Sequence, residues 1–123
     1  MSENSKIIWL NKPKDQDYLA SLSYLNLIFD NKSAKKLVKS LRKASMISFK
    51  AKDIFRSSGL SLLGISSIHV KRNTEKLQSG IRLSPLLLVR DDSQRRLIIA
   101  DGYHRLCSIY LFDEDADIPC KIV

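Results

Sequence analysis

Residues 97–111 have the sequence LIIADGYHRLCSIYL, and this stretch decides the fold of the chain around it. The apolar run 97–100 predicts a strand buried on both faces, and segment 106–111 predicts an amphipathic helix. Gly102 lies between them and allows the sharp turn that joins a strand to a helix. This order puts His104 and Arg105 in the first turn of the helix, where unpaired N–H groups and the helix dipole attract anions.

Two further segments extend the predicted strand into a sheet. Segment 85–89, PLLLV, is a second continuous apolar run, and the polar residues 90–96 after it predict a hairpin loop. Segment 118–122, IPCKI, has apolar residues at alternate positions, which is typical of a half-buried strand. We therefore predict an α/β (α+β) fold, in which a small mixed sheet is formed mainly by the last third of the chain.

Helical periodicity dominates the chain before residue 80. In chain order it predicts a helix over 17–29, a helix over 33–44 capped by Ser33, an extended piece over 46–49, a helix over 51–58 closed by Gly59, and a helix from Ser67 to Leu77 ended by Gly80. Because no repeat or linker interrupts the chain, we predict a single domain over 1–123. Its helical half spans about 15–80 and its strand–turn–helix core spans about 83–123.

The positive charge of the chain is concentrated in one segment. The net charge is +8, and segment 32–56 contains nine basic residues with Asp53 as its only acid. Five of these cations share the face of helix 33–44 that lies opposite its apolar residues: Lys35, Lys36, Lys39, Arg42 and Lys43. This face is either a solvated helix surface or a surface that contacts nucleic acid or an acidic partner.

Several classes of protein are disfavoured by composition. The chain has no apolar stretch near the roughly 20 residues that a membrane span requires, and its first residues lack the apolar core of a secretory signal. Cys107 and Cys120 are its only cysteines, and no Cys or His spacing of zinc-ligand type is present. We therefore expect a cytoplasmic protein with no membrane partner and no metal site formed by Cys and His ligands.

Segment 83–123 resembles the core of the ParB/sulfiredoxin superfamily, in which a strand that begins at proline is followed by a second strand, a glycine turn with basic residues, a helix and a short closing strand. The helical half resembles small stand-alone ParB-like proteins of bacteria. In sulfiredoxins the turn is Gly-Gly-Cys-His-Arg, and its His and Arg hold nucleotide phosphates. Gly102, His104 and Arg105 match that turn, whereas Tyr103 occupies the position of the reactive cysteine, so we expect no sulfinic-acid reductase activity.

Two other branches of the superfamily suggest related functions. Free-serine kinases carry an Asp-Gly-His-His-Arg turn, which Asp101, Gly102, His104 and Arg105 match with Tyr103 as the departure. Partition-type ParB proteins carry a Gly-Glu-Arg-Arg turn that binds a cytidine nucleotide and is followed by a helix-turn-helix region. No such region follows the turn in these 123 residues.

The resemblance implies a nucleotide- or phosphate-binding protein that uses a nucleoside triphosphate or diphosphate with magnesium. Arg105 and His104 would hold phosphate oxygens and Gly102 would allow close approach, while Asp101 would orient magnesium or accept a hydroxyl proton in phosphotransfer or nucleotide hydrolysis. Simpler roles stay open at the same positions: Arg105 can pair with Asp101, and Asp101 can cap the helix. The alternative function is a non-catalytic accessory that binds DNA or RNA through helix 33–44. In a third interpretation the turn only holds the fold.

Overall fold

A four-stranded mixed sheet carries helices on both faces in the computed structural model, which describes residues 7–62 and 68–123. The elements are α1 (Asp15–Leu25), α2 (Asn31–Lys43), β1 (Ile47–Lys50), α3 (Ala51–Ser58), α4 (Ile68–Ser79), β2 (Leu86–Asp91), β3 (Arg96–Asp101), α5 (Tyr103–Phe112) and β4 (Asp117–Ile122). This arrangement confirms the predicted α+β class.

The strands lie in the order β1-β4-β2-β3. The two outer pairs, β1 with β4 and β2 with β3, are antiparallel, whereas the central pair of β2 and β4 is parallel. Since successive side chains of a strand point to opposite faces, the apolar run of β2 serves two cores. Leu86 and Leu88 belong to one core and Leu87 and Val89 to the other. The prediction that the continuous apolar runs form strands buried on both faces is therefore confirmed.

Each face of the sheet has its own layer of helices. On one face α3, α4 and α5 cover a core that contains Ile54, Leu77, Leu106 and Ile118. On the other face α1 and α2 cover a core that contains Tyr18, Leu25, Ala34, Val38 and Leu41 with strand residues 87, 89, 98 and 100. Because these strand residues come from β2 and β3, the pair α1 and α2 packs chiefly on that side of the sheet.

Most predicted elements are confirmed, and two helix ends differ. The cap of α2 is Asp30, whose Oδ1 accepts the Ser33 N–H at 2.8 Å, so the prediction of Ser33 as the cap is wrong. A carboxylate three residues before that amide reaches it, and α2 consequently begins earlier than predicted. Helix α1 ends at Leu25 because the chain after it forms tighter turns, including Leu27 N–H to Tyr24 O at 3.0 Å. The predicted cap Ser67 lies outside the described residues.

The two faces of α5 also differ from the prediction. Ser108, predicted to face outwards, is buried, and its hydroxyl lies 2.9 Å from the carbonyl oxygen of Val70 in α4. Leu111, predicted to face the core, is 47% exposed. The reason is that α4 packs along the more polar side of α5, where a small hydroxyl fits and finds a backbone acceptor. In the described ranges, no helix is both long and apolar enough to cross a bilayer.

Candidate functional site

The predicted strand–glycine–helix turn is present and brings together four of the predicted residues. Strand β3 ends at Asp101, Gly102 is the N-cap of α5, and His104 and Arg105 lie in the first turn of the helix. Gly102 has φ +106°, a conformation that other residues rarely adopt. A Cβ at this position would lie 2.8 Å from Leu86 Cγ and 2.9 Å from Arg105 Nη2. Glycine is therefore required both by the turn and by the close packing around it.

Asp101 and Arg105 form a largely buried ion pair. Arg105 Nη2 lies 2.9 Å from Asp101 Oδ2, and the two side chains are only 17% and 18% exposed. The interpretation of Asp101 as the helix cap is wrong, because Gly102 occupies the N-cap position and α5 has no side-chain cap. The carboxylate of Asp101 instead orients the guanidinium across the start of the helix.

Some hydrogen-bond donors at the turn have no acceptor in the part of the protein that the structure describes. Arg105 Nε is buried and has no hydrogen-bond partner among the described residues. A buried donor without an acceptor costs free energy, and a bound ligand or a water molecule can supply the missing acceptor. Gly102 has no side chain that could accept bonds from the first-turn N–H groups of α5, so the positive end of this helix lacks the usual capping oxygen.

A second carboxylate, which the sequence analysis did not identify, lies beside this pair. Asp17 in α1 is 6% exposed, and its carboxyl is within hydrogen-bonding reach of Asp101. Burial raises the pKa of Asp101 above its ordinary value and outweighs the opposing effect of Arg105, while Asp17 adds to the increase. Asp17 also accepts the Lys14 N–H at 2.8 Å, as acids in the first turn of a helix often do. That local pattern was the only signal in the sequence, and it does not indicate burial.

The two residues between Gly102 and Arg105 differ in their surroundings. Tyr103 was predicted to be core, and its ring is half-buried and packs against the core beneath α3, α4 and α5, while its hydroxyl donates to the carbonyl oxygen of Ser61. Burial raises the pKa of this phenol. The ring of His104 lies 5.6 Å from that of Tyr103, centroid to centroid. Tyr103 therefore connects the turn to the segment after α3, and His104 stands beside it at the start of α5.

The five predicted nucleic-acid-binding cations lie on the exposed side of α2 and are not part of the turn. Arg42 differs from the four lysines because its guanidinium carbon lies 4.3 Å from the centre of the Tyr18 ring and its Nη1 lies 3.5 Å from Oδ1 of Asp15. Across residues 7–62 and 68–123, no carboxylate forms an ion pair with any of the four lysines: Lys35, Lys36, Lys39 and Lys43. The basic surface of α2 is thus mainly a lysine surface.

Candidate metal ligands and the two thiols are the remaining reactive groups in the part of the chain that the structure describes. There, no three His, Cys, Asp or Glu side chains are grouped closely enough to hold a metal ion. Cys107 and Cys120 are buried and unpaired with each other. Burial raises the pKa of the Cys120 thiol to about 11, so this sulfur remains protonated at neutral pH.

Comparison of the chain with protein-family models, with curated proteins and with solved structures finds no match.

Proposed function

We propose that this chain is a ParB/sulfiredoxin-like, nucleotide- or phosphate-binding protein whose ligand binds at the turn formed by residues 101–105. The single observation that supports this most strongly is the unpartnered Nε of Arg105 at the uncapped start of α5. A phosphate oxygen is an acceptor with the charge and size that this combination of donors favours.

The residues of the turn take distinct roles in this proposal. Asp101 holds one edge of the guanidinium, so that Nε of Arg105 remains to meet the ligand. His104 lies at the mouth of the turn and contacts a second phosphate oxygen. Gly102 has no side chain, which lets a ligand approach the backbone of the turn closely. If a magnesium–nucleotide complex is the ligand, the carboxylates of Asp101 and Asp17 are the oxygen ligands nearest to it.

Phosphotransfer or nucleotide hydrolysis is the enzymatic form of this proposal. In that case Asp101 is the candidate general base, because its raised pKa moves it towards the range in which a carboxylate accepts a proton effectively. We place the protein in the cytoplasm, since free buried thiols are typical of reducing compartments.

A thermal-shift assay tests the binding proposal. Nucleoside diphosphates and triphosphates, with and without magnesium, should raise the melting temperature if they bind the folded state. Replacing Arg105 with Gln should weaken binding by about 1.5–3 kcal/mol, the usual contribution of a charged hydrogen bond. Arg56→Gln is the matched control, because the side chain of Arg56 is 78% exposed and lies in another helix. Equal binding by the Arg105 variant and the control would contradict the proposal.

A second candidate function is nucleic-acid binding by α2. It is favoured by the four exposed lysines that no carboxylate of the described residues neutralises. Such a surface attracts a phosphate backbone without reading base sequence. The two functions are separable, because the lysines and the turn lie on different elements.

A further inference from the structure

A cavity of about 400 Å³ lies between α3 and the β2–β3 hairpin. Its floor is apolar and is built from four elements, with Phe49 from β1, Ile54 from α3, Leu97 from β3 and Ile122 from β4. We call this cavity the hairpin groove. It begins where β3 begins, whereas the turn at 101–105 follows the end of β3, and a strand of this length separates the two by about 17 Å. The groove is therefore a separate site from the one proposed above.

Three guanidiniums surround the apolar floor. Arg90, Arg95 and Arg96 line the groove, and none of them forms an ion pair with a carboxylate in the described ranges 7–62 and 68–123. The side chain of Arg96 lies close to Gly59 at the end of α3. A Cβ added to Gly59 would lie 3.9 Å from the guanidinium carbon of Arg96. Its charge suits the negative end of that helix. Arg90 and Arg95 are thus the cations with no evident structural partner.

Three carboxylates also line the groove, and only Asp53 is paired with a cation of the described residues. Asp53 lies 4.0 Å from Arg56, and Asp91 accepts a hydrogen bond from the hydroxyl of Ser93 at 2.7 Å. Asp92 is exposed in the hairpin turn. A hydroxyl does not neutralise a carboxylate, so the three guanidiniums of the lining stand against two carboxylates without a cationic partner in the described ranges, Asp91 and Asp92, and the excess is one positive charge.

Arg95 adopts a backbone conformation that its side chain disfavours. Its φ is +53°, and it is the only residue other than glycine with a positive φ in the described part of the chain. Glycine would fit this position of the hairpin with less strain. Residues other than glycine that adopt a positive φ are often found at functional sites.

We infer that the hairpin groove binds a small organic anion that has an apolar, ring-sized body and an acidic group. The apolar floor would bury the body of the ligand, and Arg90 and Arg95 would hold its acidic group by charged hydrogen bonds. The volume agrees with this, because it lies at the lower end of the range for small-molecule sites.

Amide chemical shifts measured by NMR during titration with 1-naphthyl phosphate test this inference. Shifts should cluster at Phe49, Ile54 and residues 95–97. Inorganic phosphate and 1-naphthol should both bind at least about tenfold more weakly than 1-naphthyl phosphate. Inorganic phosphate cannot make the apolar contact, and 1-naphthol cannot accept the charged hydrogen bonds. Shifts that cluster at residues 101–105 would overturn this inference and leave the proposed function standing. An absence of saturable shifts would overturn it as well.

Two variants complete the test. Arg95→Gly suits the positive φ of the hairpin, so it should fold at least as well as the original chain and yet bind 1-naphthyl phosphate about tenfold more weakly. Arg90→Gln should show a similar loss without any change in the turn. Arg82→Gln, an exposed arginine that does not line the groove, should bind as the original chain does. Unchanged affinity in both groove variants would overturn the inference.

Discussion

Gly102 shows how one missing methyl group shapes the candidate site. Its positive φ turns the chain from β3 into α5, and its bare Cα lets Leu86 and Arg105 approach closely. The sequence predicted the turn, because a glycine between an apolar run and an amphipathic segment is a strong local signal. The close packing of Leu86 on the turn depends on the sheet and could not be predicted locally.

We expect Gly102→Ala to destabilise the fold by more than Gly80→Ala does. Both residues have a positive φ, which costs alanine about 1–3 kcal/mol, but only Gly102 has heavy atoms within 3 Å of the added Cβ. Gly80 has no neighbour within 4 Å of that position and is therefore a matched control. Urea unfolding of the two variants measures the difference. Equal losses would show that the neighbours of Gly102 move aside freely.

The raised pKa of Asp101 predicts a specific dependence of stability on pH. An acid whose pKa is higher in the folded state keeps its proton while the unfolded chain releases it, so its contribution to stability falls as the pH rises above 3.8. The free energy of unfolding of the original chain, minus that of Asp101→Asn, should therefore decrease as the pH rises from 4 through the folded pKa.

The control for this measurement is Asp92→Asn, which removes an exposed carboxylate in the hairpin turn. Comparison with this variant separates the effect of Asp101 from the effect of removing a carboxylate at the surface. If the Asp101→Asn difference instead grew with pH, the ion pair with Arg105 would outweigh burial, and folding would lower the pKa of Asp101 rather than raise it.

At the scale of elements, sequence periodicity located helices and strands better than it assigned their faces. The strands, α3 and α5 follow from apolar runs, helical spacing and glycine positions. The inward position of Ser108 does not, because it depends on α4 packing beside α5 and offering the Val70 carbonyl as an acceptor. Asp17 is similar, since its burial follows from α1 lying across the end of β3. Local pattern cannot contain information about such distant partners.

The start of α2 provides a test at this scale. Asp30→Ala removes the carboxylate that accepts the Ser33 N–H, and we expect it to lower the free energy of unfolding. Ser33→Ala removes only an exposed hydroxyl that contacts Asp30 at 3.0 Å, and its effect should stay within about 0.5 kcal/mol. Denaturant unfolding distinguishes the two, and a larger loss in the Ser33 variant would restore Ser33 as the cap.

At the scale of the whole molecule, the net charge of +8 comes from segment 32–56, six of whose nine basic residues lie in α2, and this predicts how the protein responds to salt. If α2 contacts a nucleic acid, affinity for double-stranded DNA should fall with salt, with a log–log slope of about −0.9 for each phosphate contacted. A variant with Lys35, Lys39 and Lys43 changed to Glu should lose this binding. Arg42 is best left unchanged, because its contacts with Tyr18 and Asp15 make it part of the fold.

The matched control changes three exposed cations outside α2 to Glu, namely Lys12, Lys76 and Arg82. The two variants have the same net charge, so a comparison of their salt slopes separates a local surface from total charge. Equal binding by both would indicate that α2 is a solvated surface. Neither variant should alter nucleotide binding at residues 101–105.

The order of strands in the sheet has a consequence for biosynthesis. β4 is the last strand along the chain, yet it lies between β1 and β2 and pairs with residues as distant as Ile47. Lys121 of the same strand also donates to the carbonyl oxygen of Arg42 at the end of α2. On the ribosome, the helices and three of the strands therefore emerge before the strand that unites them. The edges of β1 and β2 that pair with β4 therefore stay unpaired until residue 122 has emerged, and the sheet closes only after translation has passed that point.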